Sequence, residues 1–127
     1  MGGVVLHEGR IYGSSHQSKA KGWVCLEWAS GKVCYAEPGI GKGSLTYADG
    51  MLYCTSESTG TVALVHPDPK GFRIASQFKI PADITRSTPF WAHPVVAGGR
   101  LYLRFGDSLY VHDVRAEAPA RAPARKI

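Results

Sequence analysis

One pattern occurs three times along the chain and restricts the folds open to it. VVLHEGRIYGSS (residues 4–15), SLTYADGMLYCTS (44–56) and PVVAGGRLYLRF (94–105) each run through an apolar segment, a turn ending in glycine, then a basic residue or Met, an aliphatic residue and a tyrosine. The aligned tyrosines are Tyr12, Tyr53 and Tyr102, 41 and 49 residues apart. Each copy continues through a second turn into another apolar run: WVCLEW (23–28), TVALVH (61–66) and SLYVHDV (108–114). The first two copies add a further strand-like segment after a glycine, KVCYAE (32–37) and FRIASQFKI (72–80). A recurring unit of this length marks a repeat architecture, in which each unit buries its apolar surface against its neighbours.

The segments within each unit are four to nine residues long and rich in Val, Leu and Tyr. Glu-Gly, Asp-Gly, Ser-Gly and Gly-Gly pairs separate several of them. Such pairs between apolar runs are hairpin signals, because the tight turns that match strand twist need positive φ. No segment sustains a 3.6-residue period, so helices should be scarce. The expected unit is a four-stranded antiparallel meander. Its first strand is the most apolar and is expected to be innermost, buried on both faces. A four-stranded unit repeated every 40–50 residues fits a propeller blade. A β-sandwich has short strands at similar spacing, but does not require its sheets to repeat one another's sequence.

The fold class expected is therefore all-β: a partial β-propeller of three four-stranded antiparallel blades, the last lacking its outer strand. The boundaries are 1–39 for the first blade, 40–82 for the second, 83–115 for the third with its leading loop, and 116–127 for a tail. The tail, AEAPARAPARKI, is low in complexity and expected to be disordered, since a proline every four residues prevents a stable helix. No segment ahead of Val4 is available as a donor strand. The outer edge of the third blade is thus expected to be bare, covered by the tail, or paired with another subunit.

Charge and cysteine content exclude several functions. The net charge is +5, but residues 115–127 alone contribute +3, leaving 11 basic and 9 acidic residues in the other 114. The excess belongs to the tail, and no specific nucleic-acid interface is indicated. No apolar run approaches the roughly 18 residues that would span a bilayer, and the first residues do not form a signal peptide. The three cysteines, Cys25, Cys34 and Cys54, lack the paired spacing of a zinc site. If Ser30-Gly31 is a two-residue turn, Glu27 faces Cys34 and Cys25 lies diagonal to it, which favours reduced thiols over a disulfide.

The run Gly43-Ser44, Tyr47-Ala48-Asp49-Gly50, Leu52-Tyr53 and the run from Trp91 through Val96 with Gly99 through Arg104 resemble the PQQ-like β-propeller repeat family, also called quinoprotein alcohol dehydrogenase-like. Trp23-Val24-Cys25-Leu26 followed by Trp28 through Val33 is similar to that family's third strand, turn and fourth strand. The resemblance covers about residues 3–115 and is nearest to the C-terminal part of bacterial members without a recognised enzyme domain. Full-length relatives are often exported. Members with the cofactor are eight-bladed dehydrogenases that hold pyrroloquinoline quinone and calcium over the ring axis. They use a carboxylate-rich calcium site, a catalytic aspartate and often adjacent cysteines. This sequence has no Cys-Cys pair and no acidic cluster, so no cofactor is expected and the chain is read as a non-enzymatic module. The family's outer-strand tryptophan, which docks on the next blade, is replaced by Tyr35 in the first copy. The second copy has drifted to His66 through Phe72.

Four residues are candidates for a ligand site at the channel mouth, where first strands begin: Lys42 in the glycine-rich 39–43 segment, Arg86, Trp91 and His93. A cation beside an aromatic suits an anionic or sugar-like ligand. Lys42 lacks the spacing and following helix of a phosphate loop, and His93 before Pro94 also reads as a residue that fixes an extended lead-in. No nucleophile elbow accompanies the Ser, His and Asp residues. Three blades cannot close a ring, and an open arc exposes apolar flanks. The expectation is a homodimer closing a six-bladed ring head to tail, through Val4, Val5 and Leu6 of one copy and Leu109, Tyr110 and Val111 of the other.

Overall fold

A computed structural model describes residues 3–15, 22–84, 90–116 and 125–126. Those residues form twelve strands and no helix. The first blade is β1 (Val4–His7), β2 (Arg10–Ser14), β3 (Trp23–Glu27) and β4 (Val33–Glu37). The second is β5 (Gly43–Ala48), β6 (Met51–Ser56), β7 (Thr61–His66) and β8 (Arg73–Lys79). The third is β9 (Val95–Ala97), β10 (Arg100–Phe105), β11 (Ser108–Asp113) and β12 (Arg125–Lys126). In each sheet the strands lie in sequence order and pair antiparallel.

The first turn of each blade is built as its sequence predicts. Glu8 and Gly9 have φ of 49° and 75°, Asp49 and Gly50 have 50° and 79°, and Gly98 and Gly99 have 57° and 76°. Two consecutive positive-φ residues match the twist of the strands they join. The turn between β3 and β4 differs from expectation. It spans Trp28 to Gly31, with Gly31 N–H donating to the Glu27 carbonyl and Glu27 N–H to that of Lys32, each at 2.8 Å. The register then shifts between Cys25 and Leu26, which pair with Tyr35 and Val33 and leave Cys34 as the extra residue of a bulge. The second blade shifts at the matching place, between Leu64 and Val65. The bulge brings Cys34 beside Cys25, and all three thiols are free.

The first strands β1, β5 and β9 lie next to one another, with β5 in the middle. Burial on both faces, expected of every first strand, therefore holds only for the central one. Gly43, Ser44 and Leu45 of β5 are buried, whereas Val4 and Leu6 of β1 are 68% and 58% exposed and Val95 of β9 is 53% exposed. The outer strands β1 and β9 have a neighbouring blade on one side alone.

Two apolar clusters hold the blades together. Between the first and second lie Tyr12, Trp23, Cys25 and Tyr35 against Leu45, Leu52, Cys54, Ala63 and Val65. Between the second and third lie Val62 and Ile80 against Leu101, Leu103 and Tyr110, with Phe90 from the connecting segment. The third blade has a rudimentary fourth strand. Lys126 pairs with Tyr110 and Arg125 with Val111, so the end of the tail covers the middle of β11. Most of the tail, 117–124 and 127, lies outside the described residues. Of the three states expected for this edge, bare, covered by the tail or paired with another subunit, the middle of β11 shows the second.

Candidate functional site

In an up-and-down meander alternate turns fall at opposite ends. The segment 38–42 before β5, the turn 57–60 after β6 and the segment before β9 therefore share one end of the arc, where the candidate ligand residues lie. Lys42 is not a free cation there. Its Nζ lies 2.5 Å from Glu57 Oε1, and the Glu57 side chain is only 16% exposed. The Glu57 carbonyl accepts the N–H of Phe90 at 3.1 Å, and the Lys42 carbonyl accepts that of Glu57 at 3.1 Å. Glu57 thus ties the start of β5 to the segment that carries Trp91 and His93. It was missed in the sequence, although the alternation of turns places it at the same end as Lys42.

Trp91 exposes its indole, at 61%. His93 is exposed as well and reaches the start of the first blade, where a Cβ built on Gly3 would stand 3.4 Å from its Cε1. Arg86 lies outside the described residues. The structure brings Lys42 to the segment holding Trp91 through Glu57, and His93 to Gly3. This end offers a half-neutralised ammonium, an imidazole and an aromatic face. Such groups bind by stacking and hydrogen bonding, and no nucleophile stands beside a base among them.

Backbone packing beneath this surface is close. Ser14 Oγ donates to the Gly43 carbonyl at 2.6 Å and accepts the Gly43 N–H at 3.1 Å, bridging the first two blades. A side chain at Gly43 would place its Cβ 1.6 Å from the Thr55 carbonyl oxygen. Trp23 Nε1 donates to the Gly41 carbonyl at 2.8 Å, which fixes the glycine-rich segment as a tight loop.

The interface candidates divide between two faces. Val4 and Leu6 point away from the second blade, whereas Val5 packs on the first cluster. Leu109 and Val111 are half-buried, but Tyr110 turns the other way and is 5% exposed in the second cluster, where it cannot meet another subunit.

Burial dominates the titratable groups. It raises the Cys25 thiol to about 11, with further contributions from Cys34, and pushes Tyr12, Tyr35 and Cys54 upward as well. His112 is lowered by burial. Asp113 is held near 2 by its hydrogen bonds from Arg115. The buried groups among these are packing features, and Asp113 belongs to a surface ion pair.

Comparison with solved structures decides the architecture. The chain superposes on quinohemoprotein alcohol dehydrogenase from Comamonas testosteroni with a TM-score of 0.66 over 98% of its length, at 14% identity. It superposes on BamB from Moraxella catarrhalis with a TM-score of 0.63 over 87%, at 11% identity. It is a partial β-propeller. A third propeller, quinohemoprotein alcohol dehydrogenase ADHIIG from Pseudomonas putida HK5, matches with a TM-score of 0.62 over 89%, at 16% identity. The segment spans 20%, 32% and 19% of those three chains. No sequence-family description matches, and no curated protein matches in sequence. Its three antiparallel sheets are arranged as the blades of such a propeller.

The quinone and calcium that the resemblance implies do not fit the described residues. Among the described residues no three His, Cys, Asp or Glu side chains converge as a cation site. Glu57, a carboxylate at this end, is already paired with Lys42.

Proposed function

We propose that this chain is a non-enzymatic β-propeller module that assembles with a second copy of itself into a six-bladed ring and binds a ligand at the channel mouth. One observation carries the reading: both ends of the three-blade arc leave apolar side chains exposed. At one end Val4, Leu6 and Val33 are 68%, 58% and 55% exposed, and at the other Val95 is 53% exposed. Closed propellers typically have about 4–8 blades, and two copies of three blades fall inside that range. Head-to-tail contacts around a two-fold axis along the channel use each open face once. Native mass spectrometry of the 127-residue chain should find a dimer at micromolar concentration. A stable monomer overturns the ring.

The ligand expected at the mouth is anionic or sugar-like, held by Lys42, Arg86, Trp91 and His93. Trp91 and His93 are its accessible groups. Lys42 and Glu57 would give it a hydrogen-bonded rim. Quenching of Trp91 fluorescence by a panel of sulfated and neutral sugars tests this, with Trp91→Ala as the control. Loss of binding in that variant with the fold retained is expected.

A second reading, a quinone-binding fragment of an oxidoreductase, draws on the fold shared with quinohemoprotein alcohol dehydrogenases. Pyrroloquinoline quinone with calcium would then raise the melting temperature. The non-enzymatic reading expects no shift.

A further inference from the structure

Every blade has two unlike faces. One carries the aligned tyrosine in a cross-strand row: Val5, Tyr12 and Cys25 in the first blade, Thr46, Tyr53 and Leu64 in the second, Val95, Tyr102 and Val111 in the third. The other is a mainly aliphatic row: Leu6, Ile11, Leu26 and Val33 in the first blade, and Leu52, Val65 and Ile74, with Tyr47 at the inner edge, in the second. Both internal junctions join them in the same sense. Tyr12 shares a cluster with Leu52 and Val65 of the next blade, and Tyr53 packs on the cluster containing Leu101 of the blade after. Among the described residues, one tyrosine face, on the third blade, and one aliphatic face, on the first, are left without a partner.

Resting on the ring reading above, we infer that Tyr102 of one copy packs on the row Leu6, Ile11, Leu26 and Val33 of a second copy, as the third use of one junction rule. The strand positions of the aliphatic row are all uncharged, as an apolar junction requires. The charges on the tyrosine face are compatible with it. Arg100 and its cross-strand partner Asp113 occupy the places of Arg10 and Glu27 beside the first internal junction, where Arg10 is half-buried, and Asp113 is ion-paired with Arg115. Arg104 donates Nε to the Gly106 carbonyl at 3.3 Å, turned toward the end of the sheet. A second copy is the occupant because it supplies the missing face and because two arcs close a ring where one cannot.

Photocrosslinking tests the junction. Chain carrying benzoylphenylalanine at position 102 is mixed with 15N-labelled chain, irradiated and digested. Crosslinks are expected from residue 102 of one isotopic copy to peptides within 4–13 or 23–36 of the other. Tyr102→Glu is expected to weaken dimerisation roughly thirtyfold or more while keeping the circular dichroism spectrum, and Tyr102→Phe to restore it. A dimer whose crosslinks map elsewhere, or one indifferent to Tyr102→Glu, overturns this junction and leaves the ring standing. A monomer in native mass spectrometry overturns both.

Discussion

Trp23 of the first blade stacks on Phe72 of the second, with ring centroids 5.4 Å apart and an interplanar angle of 29°. The indole is 2% exposed and donates to the Gly41 carbonyl. Beside it the Phe72 N–H donates to Glu37 Oε2 at 2.6 Å. These contacts take the place of the outer-strand tryptophan that the family resemblance implies. Trp23 lies on β3 beside Tyr35 of the outer strand in the same cluster, and its stacking partner comes from the loop between β7 and β8. Trp23→Ala removes the stack and the hydrogen bond and leaves a cavity. It should cost about 3–5 kcal/mol in urea unfolding.

Gly43 sits where β5 passes beneath Thr55 with no space for a methyl group. Its φ is not in the left-handed region, so the requirement is one of close approach. Gly43→Ala should therefore destabilise by about 3 kcal/mol or more, measured by thermal unfolding, because backbone must move. Gly9→Ala, where a Cβ meets nothing within 4 Å, should cost less and through its positive φ alone.

His112 packs on Phe78 with ring centroids 4.4 Å apart, and its buried Nε2 has no hydrogen-bond partner among the described residues. Burial lowers its proton affinity in the folded chain. The unfolded chain takes up this proton near the ordinary 6.5, the folded chain only at lower pH. Stability from this group is therefore complete above pH 6.5 and falls as the pH drops below it. His112→Leu, which puts an aliphatic side chain at the position of Val65 in the second blade, should flatten the fall in melting temperature between pH 7 and pH 5. An unchanged slope would exclude His112 as the cause.

The cysteines should separate by reactivity. Cys25 and Cys54 are fully buried, and the Cys25 thiol is raised to about 11, which suppresses its thiolate at neutral pH. Cys34 is partly exposed on the bulge. Limited alkylation by iodoacetamide at pH 8, read by peptide mass spectrometry, should modify Cys34 first. Cys25 and Cys54 should react only once the chain unfolds.

Strand positions were legible from the sequence because period-two apolar runs and Gly-ended turns are local signals. Tyr12, Tyr53 and Tyr102 fall at equivalent points of three sheets for that reason. The features that escaped are relations between segments. A two-residue turn at Ser30-Gly31 reads naturally from its own residues, but the Cys34 bulge lengthens it. Glu57 looks like an ordinary turn residue until the fold sets it beside Lys42. The rung formed by Arg125 and Lys126 lies in a segment whose proline content argues for disorder. At the candidate site Lys42, Trp91 and His93 were legible as residues that lead into first strands. The neutralisation of Lys42 was not.

The unlike faces of each blade have a consequence for growth. A chain with a tyrosine face at one end and an aliphatic face at the other has a direction, and directional units add without a built-in limit unless the last meets the first. Termination would then depend on the angle between neighbouring blades. A substitution that altered this angle by a few degrees, while leaving every contact apolar, would yield spirals or fibres in place of discrete particles.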